Sequence, residues 1–389
     1  MVPAMRTRLQ RWTVAVIVGF VIAGVVVLSQ QSSRARRSAD FTINYAAAML
    51  IRDGHPQAIY QRDQLGPLML RLSDHAIDPR LPFDAPLALA LPWVPLTFLS
   101  LELAFHVWQI ITLGLLALAI WLLARWLPLA RRSVPLAIAA LLAFPATWAL
   151  LGEGQSSALL LLGAVLLIGA WRCDRWWLAA AGALLLALKP QYLPAYLILI
   201  GAQRQWRTLI AALLGAAATG LSSLLAGGVE GLFAMVWNAL EAGQGVVRYS
   251  ESLIGTVSPL LPGRWPTILG FSLWLLVLGG LTVAAVRRDR AEAIALAAVA
   301  TLIAILFSPH ALPYDTVLLA VPAWLSFELK RTKAIPNPAP AWITVALALV
   351  VDLGSPLVSL APIVLLVCLL WYGRAYLRRS HDRPTAIAA

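Results

Sequence analysis

Apolar runs recur along the chain from Trp12 to Trp371, separated by short polar segments. Most of them approach the roughly 20 residues that a helix needs to cross a bilayer. They lack the two-residue alternation of membrane β-barrels, and a helix satisfies its backbone hydrogen bonds internally. The pattern therefore predicts an all-α fold, a polytopic bundle of transmembrane helices.

Counting the runs by length and composition predicts about twelve spans. Residues 85–100 are interpreted as a re-entrant or interfacial segment, because one more span there would move the following basic loops to the outer side. The predicted spans are 12–30, 101–124, 133–151, 155–171, 176–189, 190–203, 208–226, 265–286, 291–307, 312–328, 340–352 and 356–372.

The runs define one integral membrane domain, residues 1–379, followed by a cytoplasmic tail, residues 380–389. Two long outer loops interrupt it, at 31–84 and 227–264. Within the first loop, apolar residues at helical spacing predict helices from Asp40 to Arg52 and from Gln64 to Arg71, lying along the membrane surface.

Composition agrees with a membrane protein: 60% of residues are hydrophobic, 12% are charged, and the mean hydropathy is +0.80. The net charge of +12 comes from arginines between apolar runs, where they orient helices, so nucleic acid is not an expected partner. The basic loops place both termini in the cytoplasm of a bacterial plasma membrane. The apolar run after Arg11, residues 12–30, is interpreted as an uncleaved membrane anchor.

Two cysteines, far apart in the chain, predict neither a disulfide framework nor a metal cluster. The phosphate-binding pattern G-x-G-x-x-G after a strand is absent from the sequence. We therefore expect no cofactor and no obligatory metal.

Polar residues at the ends of apolar runs are the candidates for chemistry, because polar groups at membrane depth are expensive and usually functional. All of them fall on the predicted outer side. They are Asp40, Gln155, Lys189, His310 and Asp315.

Each candidate also has a structural interpretation. Asp40 could be a helix N-cap, and Gln155 could belong to a plain interhelical turn. Lys189 could extend its ammonium group to lipid headgroups, and a lone His310 is more often structural. These alternatives stay open on the residues alone.

Several short motifs occur in order over about residues 38 to 330. They are Asp40-Phe41 with Tyr45, Gly54, Ile59-Tyr60, Phe83 to Pro86, Leu91-Pro92, Trp108, Gly154-Gln155, Lys189-Pro190, Ser308-Pro309 and Tyr314-Asp315. Their order resembles that of glycosyltransferase family 87. The resemblance implies a GT-C superfamily fold, an extracytoplasmic active site and a polyprenyl-phosphate sugar donor.

The resemblance implies a catalytic carboxylate in the first outer loop, which corresponds to Asp40. Where the family has a Tyr-Pro-Pro-like element, this chain has Phe83-Asp84-Ala85-Pro86, so Asp84 becomes a second candidate carboxylate. Lys189 is the first choice for a cation facing the departing phosphate, with Arg248 and Arg264 as alternatives. The predicted substrate-binding residues are Tyr45, Asp84, Gln155, His310, Tyr314 and Asp315.

The sequence thus predicts a membrane hexosyltransferase that moves a sugar, mannose by resemblance, to a hydroxyl of a lipid or glycan acceptor, with Asp40 as general base. A transporter or flippase is the main alternative, since charged residues and broken helices also mark substrate pathways. A non-catalytic assembly protein is a third.

Overall fold

The computed structural model describes residues 40–126, 134–246, 250–263, 265–286, 293–308, 311–331, 337–354, 360–367 and 370. The predicted first span at 12–30 and the predicted tail at 380–389 lie outside these residues. So do three candidate site residues, Arg248, Arg264 and His310.

The described residues are helical and contain no strand, which confirms the all-α prediction. The α-helices are α1 (Asp40–Arg52), α2 (Arg62–Ser73), α3 (Leu101–Trp126), α4 (Val134–Ala143), α5 (Pro145–Glu153), α6 (Ser157–Cys173), α7 (Trp176–Leu186), α8 (Pro194–Ala202), α9 (Trp206–Val246), α10 (Leu253–Val257), α11 (Trp265–Val286), α12 (Ala293–Leu306), α13 (Ala320–Arg331) and α14 (Ala339–Gly354). Short 3₁₀ helices cover Pro56–Tyr60, Leu87–Leu89, Leu91–Phe98, Pro190–Tyr192, Ser258–Leu260 and Pro313–Leu319.

Three of the described helices are long and apolar enough to cross a membrane: Leu101–Trp126, Trp206–Leu225 and Trp265–Val286. The first has 26 residues, or about 39 Å at the α-helical rise. Their large apolar side chains point outward, as Ile110 (69% exposed) and Leu276 (71% exposed) illustrate. Such exposure suits a lipid environment, where outward apolar groups carry no penalty.

Prolines divide several of the predicted spans. Residues 133–151 form two helices, because Phe144 is extended before Pro145 and Pro145 starts α5. Residues 312–328 begin as the 3₁₀ helix Pro313–Leu319 and only then continue as α13. The count of about twelve full spans is therefore not confirmed.

The second predicted outer loop is largely helical. Helix α9 continues to Val246, across a break at Gly228 with φ 62° and ψ −162°. Only glycine adopts this backbone conformation readily. The break lies close to the end of the apolar span Trp206–Leu225, and the outer loop at residues 227–264 stays a prediction.

The two helices predicted within residues 31–84 are present, with α1 over the expected residues and α2 extended by two residues at each end. Residues 85–100 form two short 3₁₀ helices instead of one long helix. Their side chains Trp93 and Leu96 are buried against the bundle. This agrees with a segment that does not span.

Close helix packing at the centre of the bundle depends on glycine. Gly163 of α6 and Gly182 of α7 face each other so tightly that a Cβ on either would lie 2.8 Å from the other's carbonyl oxygen. Helix α9 packs on the opposite side of α7, with Gly215 against the backbone of Ala180. These closely packed helices lead directly into the polar segments, since α6 begins at Ser157 and α7 ends three residues before Lys189.

Candidate active site

The polar candidates meet where five segments converge: the start of α1, the turn after α5, the start of α6, residues 187–192, and the segment from Ala311 into the 3₁₀ helix. Two carboxylates, Asp40 and Asp315, organise this centre. Tyr314 connects them, since it is adjacent to Asp315 in sequence and donates to Asp40.

Asp40 is the first residue of α1, and its Oδ2 accepts hydrogen bonds from two other segments. Gln155 Nε2 donates at 2.7 Å, and the Tyr314 hydroxyl donates at 3.2 Å. The backbone N–H of Asp40 donates to Glu153 Oε2 at 3.3 Å. These hydrogen bonds from two separate segments hold the Asp40 side chain in one orientation.

Gly154 makes the close approach of α1 to α5 possible. Its φ of +61° is left-handed, and a Cβ there would lie 2.7 Å from the Cβ of Phe41 and 2.9 Å from the ring of Phe105. The turn then places Gln155 opposite Asp40. Trp108 Nε1 stabilises this turn by donating a hydrogen bond to the backbone carbonyl of Gln155 at 3.3 Å.

Asp315 is the most enclosed carboxylate of the centre, with none of its surface exposed. Burial of a charge is tolerated only where opposite charge and hydrogen bonds compensate it. Its donors are Lys189 Nζ at 2.8 and 3.0 Å, Ser157 Oγ at 2.6 Å, the Tyr192 hydroxyl at 3.0 Å, and the backbone N–H of Leu312 at 3.2 Å.

Lys189 contacts both Asp315 and Tyr314. Its ammonium group pairs with Asp315 and also lies 4.6 Å from the ring centre of Tyr314, within range of a cation–π interaction. The side chain is 14% exposed. Because Asp315 offsets its charge, Lys189 presents at most an N–H donor and a weakened positive field to a ligand, instead of a free cation.

Two further carboxyl groups lie in the electrostatic field of this centre. Burial, and secondarily the charge of Asp40, raises the pKa of Glu153 to about 7. Desolvation raises the pKa of Asp84 to about 6, while the charge of Lys189 opposes this and those of Asp40 and Asp315 add to it. Asp84 is nevertheless exposed, so its carboxylate is accessible to solvent although neighbouring protein atoms raise its pKa.

The structure joins five of the predicted site residues through hydrogen bonds or ring contacts: Asp40, Gln155, Lys189, Tyr314 and Asp315. The charges of Lys189, Asp40 and Asp315 act on the pKa of Asp84, so Asp84 lies within electrostatic range of these three residues.

Tyr45 is not brought to this centre. Its hydroxyl donates to the Leu99 carbonyl at 2.7 Å, and only 4% of the residue is exposed. The α-helical rotation turns it away from Asp40, five positions earlier, so in this structure it ties α1 to the segment before α3.

Three residues of the centre were not among the predicted site residues: Glu153, Ser157 and Tyr192. Each lies within three positions of a predicted one in sequence, either within Gly152 to Ser157 or directly after Lys189-Pro190-Gln191. Adjacency was the available signal. It could not show which neighbours turn inward, because that depends on where the helices begin.

No group of three or more His, Cys, Asp or Glu side chains within the described residues is arranged to hold a metal ion. Asp315 instead pairs with Lys189, and Asp40 accepts a hydrogen bond from Tyr314. The expectation of a metal-independent site stays a prediction.

The fold and this centre define the class of protein: a helical membrane protein with a carboxylate-rich polar site built from segments distant in sequence. The chain belongs to glycosyltransferase family 87, whose family model matches residues 85–309, more than half of its length. This confirms the resemblance noted in the sequence and makes the protein a membrane glycosyltransferase. The match begins after Asp84. No curated protein and no solved structure matches the chain.

Proposed function

We propose that the protein transfers a hexose, mannose in the first instance, from a polyprenyl-phosphate donor to a hydroxyl of a lipid or glycan acceptor on the extracytoplasmic side of a bacterial plasma membrane. It would do so as a member of the GT-C superfamily. Family membership supports sugar transfer over the transporter and assembly-protein alternatives.

The hydrogen bonds of the Asp40 carboxylate support the proposed chemical step. Its hydrogen bonds from Gln155 and Tyr314 both reach Oδ2. Oδ1 accepts no hydrogen bond from the described residues, and we therefore assign it as the oxygen that takes the proton. In the proposed reaction the acceptor hydroxyl gives its proton to Oδ1 while its oxygen attacks the anomeric carbon, and the polyprenyl phosphate leaves with the bonding electrons.

The leaving phosphate gains negative charge as the glycosidic bond breaks, and N–H donors near it would stabilise the transition state. Lys189 has three N–H donors, and at most two of them are engaged with Asp315. We therefore assign one Lys189 N–H to the phosphate. Arg248 and Arg264 remain the candidates for full positive charge, as proposals.

An apolar cavity supports the proposal that the substrate carries a lipid chain. Its volume is about 230 Å³, and it lies between α3, α4, α13 and α14 with walls that include Ile120, Phe144, Leu319 and Trp324. Leu319 ends the 3₁₀ helix that carries Asp315, about 8 Å further along at the 3₁₀ rise. Hydrocarbon buried here would be stabilised by its removal from water.

The test uses purified protein in lipid nanodiscs, polyprenyl-phosphate mannose labelled in the sugar, and total membrane lipids as acceptor. Asp40→Asn keeps the size of the side chain and an acceptor oxygen for Gln155 and Tyr314. We expect it to lower the transfer rate by about 10²- to 10⁴-fold, the usual contribution of a general base, without lowering the unfolding temperature.

The matched control is Asp63→Asn, an exposed carboxylate of the same outer loop, which should transfer sugar at the wild-type rate. Wild-type activity in Asp40→Asn would refute the role of Asp40. Uptake of a labelled substrate into vesicles without sugar transfer would favour the transporter instead.

A further inference from the structure

The segment that carries Asp84 is fixed on both sides of that residue. Asn238 Nδ2, on the extension of α9, donates to the Phe83 carbonyl at 3.2 Å and to the Tyr60 carbonyl at 3.4 Å. The Tyr60 hydroxyl donates to the Ala85 carbonyl at 3.2 Å. The residues before and after Asp84 are thus held by hydrogen bonds from two other elements.

The same segment is anchored again a few residues later. The Leu87 N–H donates to Ser223 Oγ at 2.9 Å, and the Ala88 N–H donates to Ser222 Oγ at 3.0 Å. Both serines belong to α9. Helix α9 therefore holds residues 83–88 in place through hydrogen bonds to three of their backbone groups.

Burial alternates sharply along this segment. Phe83 is 2% exposed and Ala85 is 6% exposed, whereas Asp84 between them is exposed. Asn238 is itself only 7% exposed, so its side-chain amide lies in the protein interior. A buried amide that donates to two backbone carbonyls is costly to remove. In this arrangement the Asp84 carboxylate points away from the packed core, while its two neighbours point into it.

Asp84 differs in this respect from the other carboxylates of the centre. Asp315 is completely buried and saturated by donors, and Glu153 and Asp40 are only partly exposed. A carboxylate that is exposed within the site can accept hydrogen bonds from a ligand. Sugar hydroxyls are the donors that the proposed reaction supplies.

We propose that Asp84 binds hydroxyl groups of the transferred hexose and that Asn238 is a positioning residue, which fixes the backbone on one side of Asp84 while Tyr60 fixes the other. This inference rests on the proposed function and names the part of the donor that Asp84 contacts. The part of α9 after Gly228, which falls in the predicted second outer loop, thereby contributes to substrate recognition.

The experiment measures donor KM and kcat for labelled polyprenyl-phosphate mannose. Asp84→Asn should raise the donor KM by about ten- to a hundredfold, the loss of one charge-assisted hydrogen bond, with a smaller change in kcat. Asn238→Ala should raise KM in the same direction. Asn337→Ala removes an asparagine side chain that accepts from Lys330 and makes no contact with residues 83–88, so it is the matched control and should leave KM unchanged.

A double-variant comparison separates positioning from mere stability. In the Asp84→Asn background, Asn238→Ala should raise the donor KM no further, whereas its effect on the unfolding temperature should persist. If Asn238→Ala does not fold, Tyr60→Phe removes the bond on the other side of Asp84 and permits the same comparison.

The proposal is overturned if Asp84→Asn leaves the donor KM unchanged or lowers it. It is equally overturned if the second variant multiplies KM by the same factor with and without Asp84→Asn. A wild-type protein that transfers no sugar would refute the proposed function itself, so the two failures are distinguishable.

Discussion

The ion pair between Lys189 and Asp315 allows a quantitative test of how the centre is held together. The perturbation is Lys189→Met, which keeps the length and apolar stem of the side chain but removes its charge. Asp315 is then left completely buried with neutral donors only. Breaking a buried pair by removing one partner typically costs about 3–5 kcal/mol of folding free energy.

Removing both charges should cost less than the sum of the two single changes. In Lys189→Met with Asp315→Asn, the Ser157 and Tyr192 hydroxyls keep an acceptor and no charge is left unpaired. Contacting residues usually show coupling energies of about 0.5–3 kcal/mol, and this buried pair should lie at the upper end of that range.

The assay is equilibrium unfolding of the purified protein in detergent, followed by tryptophan fluorescence for the wild type, both single variants and the double variant. The matched control is the exposed pair between Arg62 and Glu241, whose N–O distance is 2.7 Å. Its removal should cost at most about 1 kcal/mol, because water already solvates both groups. Strict additivity at the Lys189–Asp315 pair, or a loss equal to that of the control, would refute the reasoning.

Two further predictions concern the turn after α5. Gly154→Ala should destabilise the fold by about 1–3 kcal/mol in the same assay, because of the left-handed φ and the contact with Phe41, whereas Gly114→Ala, with open space around it, should not. The pKa of Glu153 is raised from 4.5 to about 7, so its contribution to stability is present below pH 4.5 and is lost as the pH rises through about 7. Glu153→Gln should flatten stability across that interval, and an unchanged pH profile would contradict this.

The sequence by itself determined the helical, membrane-embedded class of the protein and several residues of its centre. Apolar run length and the absence of alternation are local properties, and they suffice to predict helices such as α3 and α11. Asp40 and Gln155 were recognisable because they interrupt apolar sequence at the ends of such runs, where a polar group is costly.

Only the tertiary structure decided which polar groups meet and what each can still do. Lys189 pairs with Asp315, 126 positions further along the chain, and that contact converts an expected free cation into part of a nearly neutral pair. Tyr45 turns toward Leu99, and Asn238 reaches the backbone beside Asp84. The physical reason is that helix rotation, break points and packing set side-chain direction, and those depend on contacts between segments far apart in the sequence.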